Sequence, residues 1–363
     1  MKSALMAFIL FVAAFSGAAD RSLRVETLVA DLDTPWDLAW GPDDYIWVTE
    51  RGGAISRVDP SSGEITRVGE LDVTEISESG LLGMAFHPDF ENQPWIYAVH
   101  SYGNRLRIRN RLVRMRFDGI SLAEPEVLLN GIPGGRNHNG SRLAFGPDGF
   151  LYVTTGDAGD RSLPLDMGSL AGKVLRLTPE GTPAPGNPFG SAVYSYGHRN
   201  AQGLAFHPIT GTLYIAEHGP SDNDEVNLIL SGGNYGWPVV HGFCDGDQSR
   251  EDEYCRDHDV EEPLSAWTPT VGVSGLAIYE ADLMPEWTGS LLVTSLTGRT
   301  LFRLQLSADG NAVVGREALL EREYGRLRDV LVGPGGEVYI ATSNRDGRGR
   351  PASNDDRILR ITP

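Results

Sequence analysis

A short sequence unit recurs six times along the chain, and this repetition restricts the possible folds more than any other feature. Each copy has an apolar segment, a turn rich in proline, aspartate and glycine, and a second segment rich in β-branched and aromatic residues. The copies lie at residues 37–50, 83–99, 142–155, 203–216, 275–294 and 329–342. Two such segments joined by such a turn are typical of a β-hairpin. Each copy therefore predicts two antiparallel strands.

Further segments with strand character follow several hairpins, at Ile55–Val58, Val174–Leu177, Leu301–Leu304 and Arg357–Ile361. Units that recur at irregular intervals of roughly 46 to 72 residues are typical of β-propellers, in which four-stranded sheets surround an axis. We therefore expect an all-β fold, a six-bladed β-propeller of four-stranded antiparallel blades. Pairing of the N-terminal segment Leu23–Leu28 with the last strand would close the ring. Two stacked β-sandwiches are the alternative, but the linker that they require is not visible.

The first 19 residues differ from the rest of the chain. Lys2 precedes an apolar run from Leu5 to Phe15, and small residues follow at 16–19. This order is typical of a secretory signal peptide. An N-terminal membrane anchor is the alternative, although the run is short for a hydrocarbon core of ~30 Å. We expect a signal peptide at 1–19, one propeller domain at 20–363, no stable membrane insertion, and a periplasmic or extracellular location.

Cysteine content and net charge narrow the class of protein further. Cys244 and Cys255 are the two cysteines of the chain, and in an exported protein we expect them to form a disulfide within a polar loop. A metal pair is the weaker alternative, because no other cysteine and no suitably spaced histidine completes a site. The chain has 31 basic and 49 acidic residues, a net charge of −18. This excess argues against nucleic acid as a partner but is compatible with a small anionic ligand held by a few arginines.

The loops between blades meet on one face of a propeller, so residues far apart in sequence become neighbours there. His138 lies before the third repeat and Asp157 directly after its second strand. A hairpin returns its ends to the same side, so the two residues form a candidate imidazole base with an orienting carboxylate. A structural or surface histidine is the alternative. Arg199 and Asn200, before the fourth repeat, suit an anionic ligand, with a salt bridge between blades as the alternative.

Two more loops complete the candidate pocket. The segment Glu217–Glu225 has three acidic residues within four positions, close to Gly219 and Pro220. Such an oxygen-rich loop suits a hard cation such as calcium, and a solvated acidic turn is the alternative. Arg326 and Arg328 lie two residues apart before the sixth repeat. Alternation along a strand places both side chains on the same side, where they can clamp carboxylates, and a solvent-facing pair is the alternative. The combination suggests a polyanionic cofactor bound through a metal.

Six longer phrases of the sequence carry a family resemblance. They are Gly80–Phe90, His138–Leu143, Gly197–Gly203, Gly219–Leu228, Gly233–Pro238 and Arg326–Val330. These phrases closely resemble the soluble PQQ-dependent aldose sugar dehydrogenases, the glucose/sorbosone dehydrogenase family, and the likeness runs from about Leu23 to Pro363. The resemblance implies a six-bladed propeller and an exported catalytic domain. It also implies oxidation of the anomeric C1 hydroxyl of aldose sugars to lactones, with PQQ as cofactor and calcium assisting it.

The resemblance assigns the chemical roles as follows. His138 resembles the general base that takes the proton of the C1 hydroxyl, and Asp157 the carboxylate that orients it. Arg199 resembles the arginine beside the reacting quinone oxygen. Asn200 resembles a neighbouring cofactor contact, and Thr270 is a candidate for a further one.

The same resemblance assigns the metal ligands and the carboxylate clamp. Gly219 and Pro220 resemble the carbonyl ligands of the cofactor-bound calcium, whereas Glu225 and Tyr235 resemble ligands of a second, structural calcium. The arginine pair at 326 and 328 resembles the clamp on the cofactor carboxylates. The loop after residue 237 differs from the family pattern.

Two positions depart from the family pattern. Thr297 stands where the glucose dehydrogenases have a lysine, and Glu78 stands where a glutamine is usual. A lost positive charge and an added negative charge weaken the binding of a trianionic cofactor, each by something on the order of 1 kcal/mol. A noncatalytic propeller that binds a sugar or a protein is the alternative function, although the His138–Asp157 pair and the Arg326–Arg328 clamp argue against it, and a calcium-dependent propeller lactonase is a third. The preferred sugar, the electron acceptor and the oligomeric state leave no mark in the sequence.

Overall fold

Six four-stranded antiparallel sheets surround one axis in the computed structural model, which describes residues 23–248 and 250–363. The first strand of the described residues is β1 (Arg24–Val29), which belongs to the last blade. Blade 1 contains β2 (Pro35–Trp40), β3 (Ile46–Glu50), β4 (Ala54–Val58) and β5 (Ile65–Glu70). Blade 2 contains β6 (Leu81–Phe86), β7 (Trp95–Asn104), β8 (Arg107–Arg116) and β9 (Glu126–Pro133). Blade 3 contains β10 (Gly140–Phe145), β11 (Leu151–Thr155), β12 (Lys173–Leu177) and β13 (Val193–Tyr196).

The remaining strands complete the ring. Blade 4 contains β14 (Ala201–Phe206), β15 (Leu213–Glu217), β16 (Asp224–Leu228) and β17 (Ser265–Trp267). Blade 5 contains β18 (Val273–Tyr279), β19 (Ser290–Ser295), β20 (Leu301–Leu306) and β21 (Val313–Leu319). Blade 6 contains β22 (Leu327–Val332), β23 (Val338–Thr342) and β24 (Ile358–Thr362), with β1 as its fourth strand. The predicted six-bladed propeller is confirmed, and each sequence repeat forms the first two strands of a blade.

The ends of the chain close the ring, as the sequence predicted. β1 pairs antiparallel with β24 in a register that places Val25 opposite Ile361. Glu26 accepts a hydrogen bond from Nε of Arg360 at 2.6 Å on the same pair of strands. Blade 6 is thus built from both ends of the described chain, with β1 as its outer strand.

In two of the repeats, an aspartate of the hairpin turn and an aromatic residue four positions later form a hydrogen bond. In blade 1, Asp43 of the turn accepts a hydrogen bond from the indole Nε1 of Trp47 at 2.9 Å. In blade 3, Asp148 accepts one from the hydroxyl of Tyr152 at 3.0 Å. A Cβ atom on Gly41 would lie 2.4 Å from that indole nitrogen, so only glycine fits before this turn. The turn residues and the aromatic residue therefore form one unit.

The same aromatic residues hold neighbouring blades together. Trp47 of blade 1 packs edge-on against Phe86 of blade 2, with ring centroids 5.3 Å apart. Tyr97 of blade 2 packs in the same way against Phe145 of blade 3 at 5.1 Å. The side chains of Trp47 and Tyr97 are fully buried. The hydrophobic core thus lies between successive sheets, where residues of neighbouring blades form shared clusters.

An ionic cluster lies where the first strands meet at the axis. Arg142 of β10 forms ion pairs with Asp37 of β2 and, at 3.0 Å, with Asp329 of β22. These three residues occupy equivalent positions of the repeat, and two of the other copies have Gly203 and Gly275 there. A Cβ on Gly275 would lie 2.3 Å from the Asp329 carboxylate, so the glycine makes room for the cluster. One arginine therefore ties three blades together.

A long connection between β16 and β17 contains the helix α1 (Glu251–Asp257), which is too short for sequence periodicity to reveal. Cys244 and Cys255 form a disulfide in this connection, which confirms the predicted pairing. A single 3₁₀ turn, Pro285–Trp287, lies between β18 and β19. Within residues 23–248 and 250–363, no helix has the length and apolar character to cross a membrane. The predicted signal peptide at 1–19 lies outside the described residues.

Candidate active site

The hairpin register brings the candidate base and its carboxylate together. Gly140, the first residue of β10, lies opposite Thr155, the last residue of β11. His138 precedes the first by two positions and Asp157 follows the second by two, so the side chains meet at the end of the blade. Nδ1 of His138 lies 2.7 Å from Oδ1 of Asp157. The predicted pair is present in the structure.

The hydrogen bonds of Asp157 determine how the imidazole is protonated. Its carboxylate accepts hydrogen bonds from the amide of Gly159 at 2.7 Å and from the indole of Trp237 at 3.0 Å. A carboxylate that accepts two other hydrogen bonds can only accept a third from the imidazole. The ring proton of His138 therefore lies on Nδ1, the nitrogen that faces Asp157. Nε2 then has a free lone pair, and the His138 side chain is 21% exposed. This geometry suits a general base that acts through Nε2.

Arg199 and Asn200 enter from blade 4, as the sequence predicted. The Arg199 guanidinium donates a hydrogen bond to the carbonyl of His218 at 3.1 Å and lies 5.3 Å from the centre of the Trp237 ring. Nε of Arg199 is buried and has no hydrogen-bond partner among the described residues. Burial lowers the pKa of Arg199 below its ordinary value. Asn200 is buried, and its side-chain oxygen accepts a hydrogen bond from the amide of Gly140 at 3.0 Å. Asn200 therefore positions the loop that carries the base.

Arg326 and Arg328 both approach one carboxylate that the sequence did not indicate. Arg326 forms an ion pair with Asp346 at 2.8 Å. Although burial opposes it, the positive charges of Arg326 and Arg328 hold the pKa of Asp346 below its ordinary range. Arg328 is buried and donates to the side chain of Gln202 at 2.7 Å, and burial lowers its pKa to about 10. The two arginines thus share a pocket, but Arg326 already has an acidic partner from the chain.

Three buried nitrogen atoms in this region lack a partner in the described part of the chain. They are Nε of Arg199, Nε of Arg328 and Nε2 of His218. Burial lowers the pKa of His218, the charges of Glu78 and Asp224 oppose that effect, and the positive charges of the two arginines reinforce it. Buried polar nitrogens without a partner are unusual, and the two guanidinium donors among them suit a polyanionic ligand.

The Gly219–Pro220 loop is fixed by one buried aspartate. Asp224 accepts a hydrogen bond from the amide of Gly219 at 2.8 Å and, through its other oxygen, from the amide of Val271 at 2.8 Å. Thr270 is tied to the same loop through its amide, which donates to the carbonyl of Ser221 at 3.2 Å. The carbonyls of Gly219 and Pro220 accept no hydrogen bond within residues 23–248 and 250–363. Two free carbonyl oxygens in a rigid acidic loop suit calcium.

The other two predicted metal ligands have different surroundings. The carboxylate of Glu225 accepts hydrogen bonds from the amide of Gly242 at 2.8 Å and from Asn227 at 3.0 Å. The hydroxyl of Tyr235 donates to the carbonyl of Leu228 at 2.6 Å and accepts from an amide at 2.9 Å. Among the described residues, no group of three or more acidic, histidine or cysteine side chains is arranged to hold a metal. The geometry of Tyr235 is that of a packed, satisfied side chain.

Glu78 and Thr297, the two departures from the family pattern, lie in different loops. Glu78 precedes β6 of blade 2, and Thr297 lies between β19 and β20 of blade 5. Thr297 is exposed and lines a cavity of about 430 Å³ together with Arg299, Arg326 and Arg348. Glu78 accepts a hydrogen bond from the amide of His138 at 2.9 Å. Its second oxygen forms an ion pair with Arg348 at 2.6 Å. The structure therefore provides a cation near both departures from the family pattern.

Comparison with known proteins identifies the family. The family model described as "Glucose / Sorbosone dehydrogenase" matches residues 32–359. The chain belongs to the glucose/sorbosone dehydrogenase family.

Relatives and solved structures agree with this assignment. The chain is 31% identical to quinoprotein glucose dehydrogenase B of Acinetobacter calcoaceticus, over 90% of this chain and 87% of that protein. It is 30% identical to aldose sugar dehydrogenase YliI of Escherichia coli, over 95% and 94%. The PQQ-bound aldose sugar dehydrogenase of Streptomyces coelicolor superimposes with a TM-score of 0.83 at 41% identity, covering 94% of this chain and 98% of that one. The family resemblance seen in the sequence is thus confirmed.

Several residues of this region of the glucose/sorbosone dehydrogenase fold could not be recognised from the sequence. Trp237, Asp346 and Arg348 contact the candidate site residues directly, through Asp157, Arg326 and Glu78. Trp237 lies within one of the resemblance phrases, but no pattern within the chain indicated its partner. Asp346 and Arg348 lie in the loop between β23 and β24, which is outside the repeated unit.

Proposed function

We propose that the protein is an exported quinoprotein that oxidises the C1 hydroxyl of aldose sugars to lactones with PQQ and calcium. The observation that carries this proposal is the position of the His138–Asp157 pair on the same face as three buried nitrogens that have no partner among the described residues. Two relatives are named as quinoprotein or aldose sugar dehydrogenases, and a solved relative is described as PQQ-bound. These names support the assignment of cofactor and substrate class.

The residues present fit a cofactor with three carboxylates. Arg199 and Arg328 would each supply a buried donor that has no acceptor among the described residues, and Nε2 of His218 is a further buried nitrogen without a partner there. The carbonyls of Gly219 and Pro220 would hold calcium. When bound, PQQ supplies an ortho-quinone that accepts hydride, and calcium acts on it as a Lewis acid.

The chain's own residues then perform the proton transfer and the positioning. Nε2 of His138 takes the proton of the C1 hydroxyl, while Asp157 holds Nδ1 and stabilises the imidazolium that forms. Arg199 supplies positive charge where negative charge develops. Asn200 fixes the end of the base loop through the Gly140 amide. By the family pattern, Thr270 would be a further cofactor contact, and Glu225 and Tyr235 would be ligands of a second calcium.

We also propose that residues 1–19 are a signal peptide and that 20–363 form one catalytic domain. The Cys244–Cys255 disulfide supports export, because such bonds persist in oxidising compartments such as the periplasm or the extracellular space.

Reconstitution tests the function. Purified apoprotein should reduce an artificial electron acceptor with an aldose only after PQQ and calcium are added. An inactive protein across a panel of aldoses, with PQQ bound to saturation as judged by absorbance, would contradict the proposal. Failure to bind PQQ would instead favour the noncatalytic sugar- or protein-binding propeller.

A further inference from the structure

Arg348 crosses from blade 6 to the loops that precede blades 2 and 3. One of its terminal nitrogens, Nη1, lies 2.6 Å from Oε1 of Glu78, and the other donates to the side-chain oxygen of Asn137 at 3.2 Å. Asn137 directly precedes the candidate base His138. The arginine therefore joins the last blade to the base loop across the face that bears the site.

Glu78 is held in this region by both of its oxygens. Oε2 accepts the amide hydrogen of His138 at 2.9 Å, and Oε1 binds Arg348. Its side chain is only 18% exposed, whereas that of Arg348 is 49% exposed. Although burial raises the pKa of Glu78, the His138 amide and the Arg348 guanidinium hold it below its ordinary value. The carboxylate is therefore a fixed negative charge beside the base.

Arg348 borders two adjoining cavities. It lines the cavity of about 430 Å³ that also contains Thr297 and Arg326, and it lines a smaller hollow with Glu78 and Arg328. Its backbone is fixed by Asp346, which accepts the Arg348 amide at 2.9 Å and binds Arg326 through its other oxygen. One aspartate thus positions both arginines.

We propose that Arg348 neutralises Glu78 and so allows this pocket to bind a trianionic quinone, although position 297 carries no lysine. The inference rests on the proposed PQQ function and assigns Arg348 as a positioning residue that acts through Glu78. A fixed carboxylate beside three ligand carboxylates repels them in a pocket of low dielectric constant. Pairing with a guanidinium removes most of that repulsion without a direct contact to the ligand.

Equilibrium binding of PQQ to the full-length apoprotein tests this inference without reference to catalysis. The dissociation constant is measured in saturating calcium by quenching of tryptophan fluorescence. The variants are R348Q, R348K, E78Q and E78Q/R348Q, with R67Q/E70Q as the control. Arg67 and Glu70 form an exposed ion pair on β5, on the outer edge of blade 1. Thermal melting of each variant confirms that it is folded.

We expect R348Q to weaken PQQ binding by about tenfold, since it leaves the Glu78 charge uncompensated. E78Q/R348Q should bind within about threefold of E78Q, because without the carboxylate the arginine has nothing to neutralise. R348K and the control pair should bind like the wild type.

Two results would overturn the inference while leaving the proposed function intact. One is an R348Q variant that binds PQQ as tightly as the wild type. The other is a double variant as weak as R348Q, which would show that Arg348 acts on the cofactor itself. A wild-type protein that does not bind PQQ would overturn both proposals.

Discussion

The indole of Trp237 donates a hydrogen bond to Oδ2 of Asp157 at 3.0 Å, while Oδ1 of the same carboxylate binds His138 at 2.7 Å. Both oxygens of the carboxylate are therefore fixed, and the orientation of the imidazole is fixed with them. Two cations also lie near the indole, since the guanidinium carbons of Arg161 and Arg199 are 4.5 Å and 5.3 Å from its ring. Trp237 thus positions the base through Asp157.

Replacement of Trp237 by phenylalanine should lower kcat with little change in PQQ affinity. The variant keeps an aromatic ring but loses a hydrogen bond to a charged group, worth about 1.5 kcal/mol, or about tenfold in rate. Steady-state kinetics and a PQQ titration on the same sample separate the two effects. W95F is the control, because Trp95 begins β7 at the turn end of blade 2, away from the site. An unchanged kcat would contradict a positioning role.

His138→Gln should remove turnover and preserve the cofactor site. An amide cannot act as a general base, and loss of such a group costs about 10²- to 10⁴-fold in rate. The dissociation constant for PQQ should change by less than about threefold, because the family-based role of His138 is in proton transfer. H207Q is the matched control, since His207 lies at the turn after β14. Equal losses of turnover and of PQQ binding would refute the assignment of His138 as the base.

Gly219→Ala should raise the calcium concentration that PQQ binding requires. A Cβ at this position would lie 1.9 Å from the carbonyl oxygen of Asp222, so the loop must move and its free carbonyls move with it. The calcium concentration for half-maximal PQQ binding should rise by about tenfold or more, since hard cations depend on the number and placement of their oxygen ligands. G315A is the control, because a Cβ there meets its nearest atom at 3.6 Å. Equal calcium requirements in both variants would exclude Gly219 as a ligand.

Much of the fold could be predicted because its determinants are local and repeated. Asp43 bonds to Trp47 and Asp148 to Tyr152 over the same spacing, so each turn is encoded within a few residues. The His138–Asp157 pair was predictable for a related reason, since the two residues flank one hairpin and its register brings them together.

The contacts that complete the site could not be predicted, because they join distant and unrepeated segments. Trp237 lies 80 residues from Asp157, and Arg348 lies 270 residues from Glu78. Asp346 is one of 49 acidic residues, and no spacing distinguishes it from those on the surface. Such partners depend on how loops pack across the propeller face, which strand periodicity does not encode.

Replacement of Arg142 by methionine should destabilise the propeller strongly. Asp37 and Asp329 are buried, and both pair with this arginine at the axis. Removal of one partner of a buried ion pair costs about 3–5 kcal/mol, because the remaining charges are left uncompensated. Urea denaturation measures the loss in free energy of unfolding. The triple variant D37N/R142M/D329N should recover part of it, and a triple variant no more stable than R142M would contradict the electrostatic explanation.

Acid should destabilise the fold through His100, which is buried in blade 2. Its Nε2 accepts a hydrogen bond from Arg111 at 2.9 Å, so the ring is neutral in the folded protein. Burial, reinforced by the nearby guanidinium charge, lowers the pKa of His100 from its ordinary value to about 4. Between pH 6.5 and 4 the unfolded chain therefore binds more protons than the folded one, and stability falls as the pH falls through this window.

The expected loss attributable to His100 between pH 7 and pH 5 is about 2 kcal/mol in the free energy of unfolding. His100→Gln keeps an acceptor for Arg111 but cannot take up a proton, so its loss over the same interval should be smaller by about that amount. Urea denaturation of both proteins at the two pH values measures the difference, with H258Q, at an exposed position on the end of α1, as the control. If H100Q showed the same pH dependence as the wild type, the acid sensitivity would originate elsewhere in the chain.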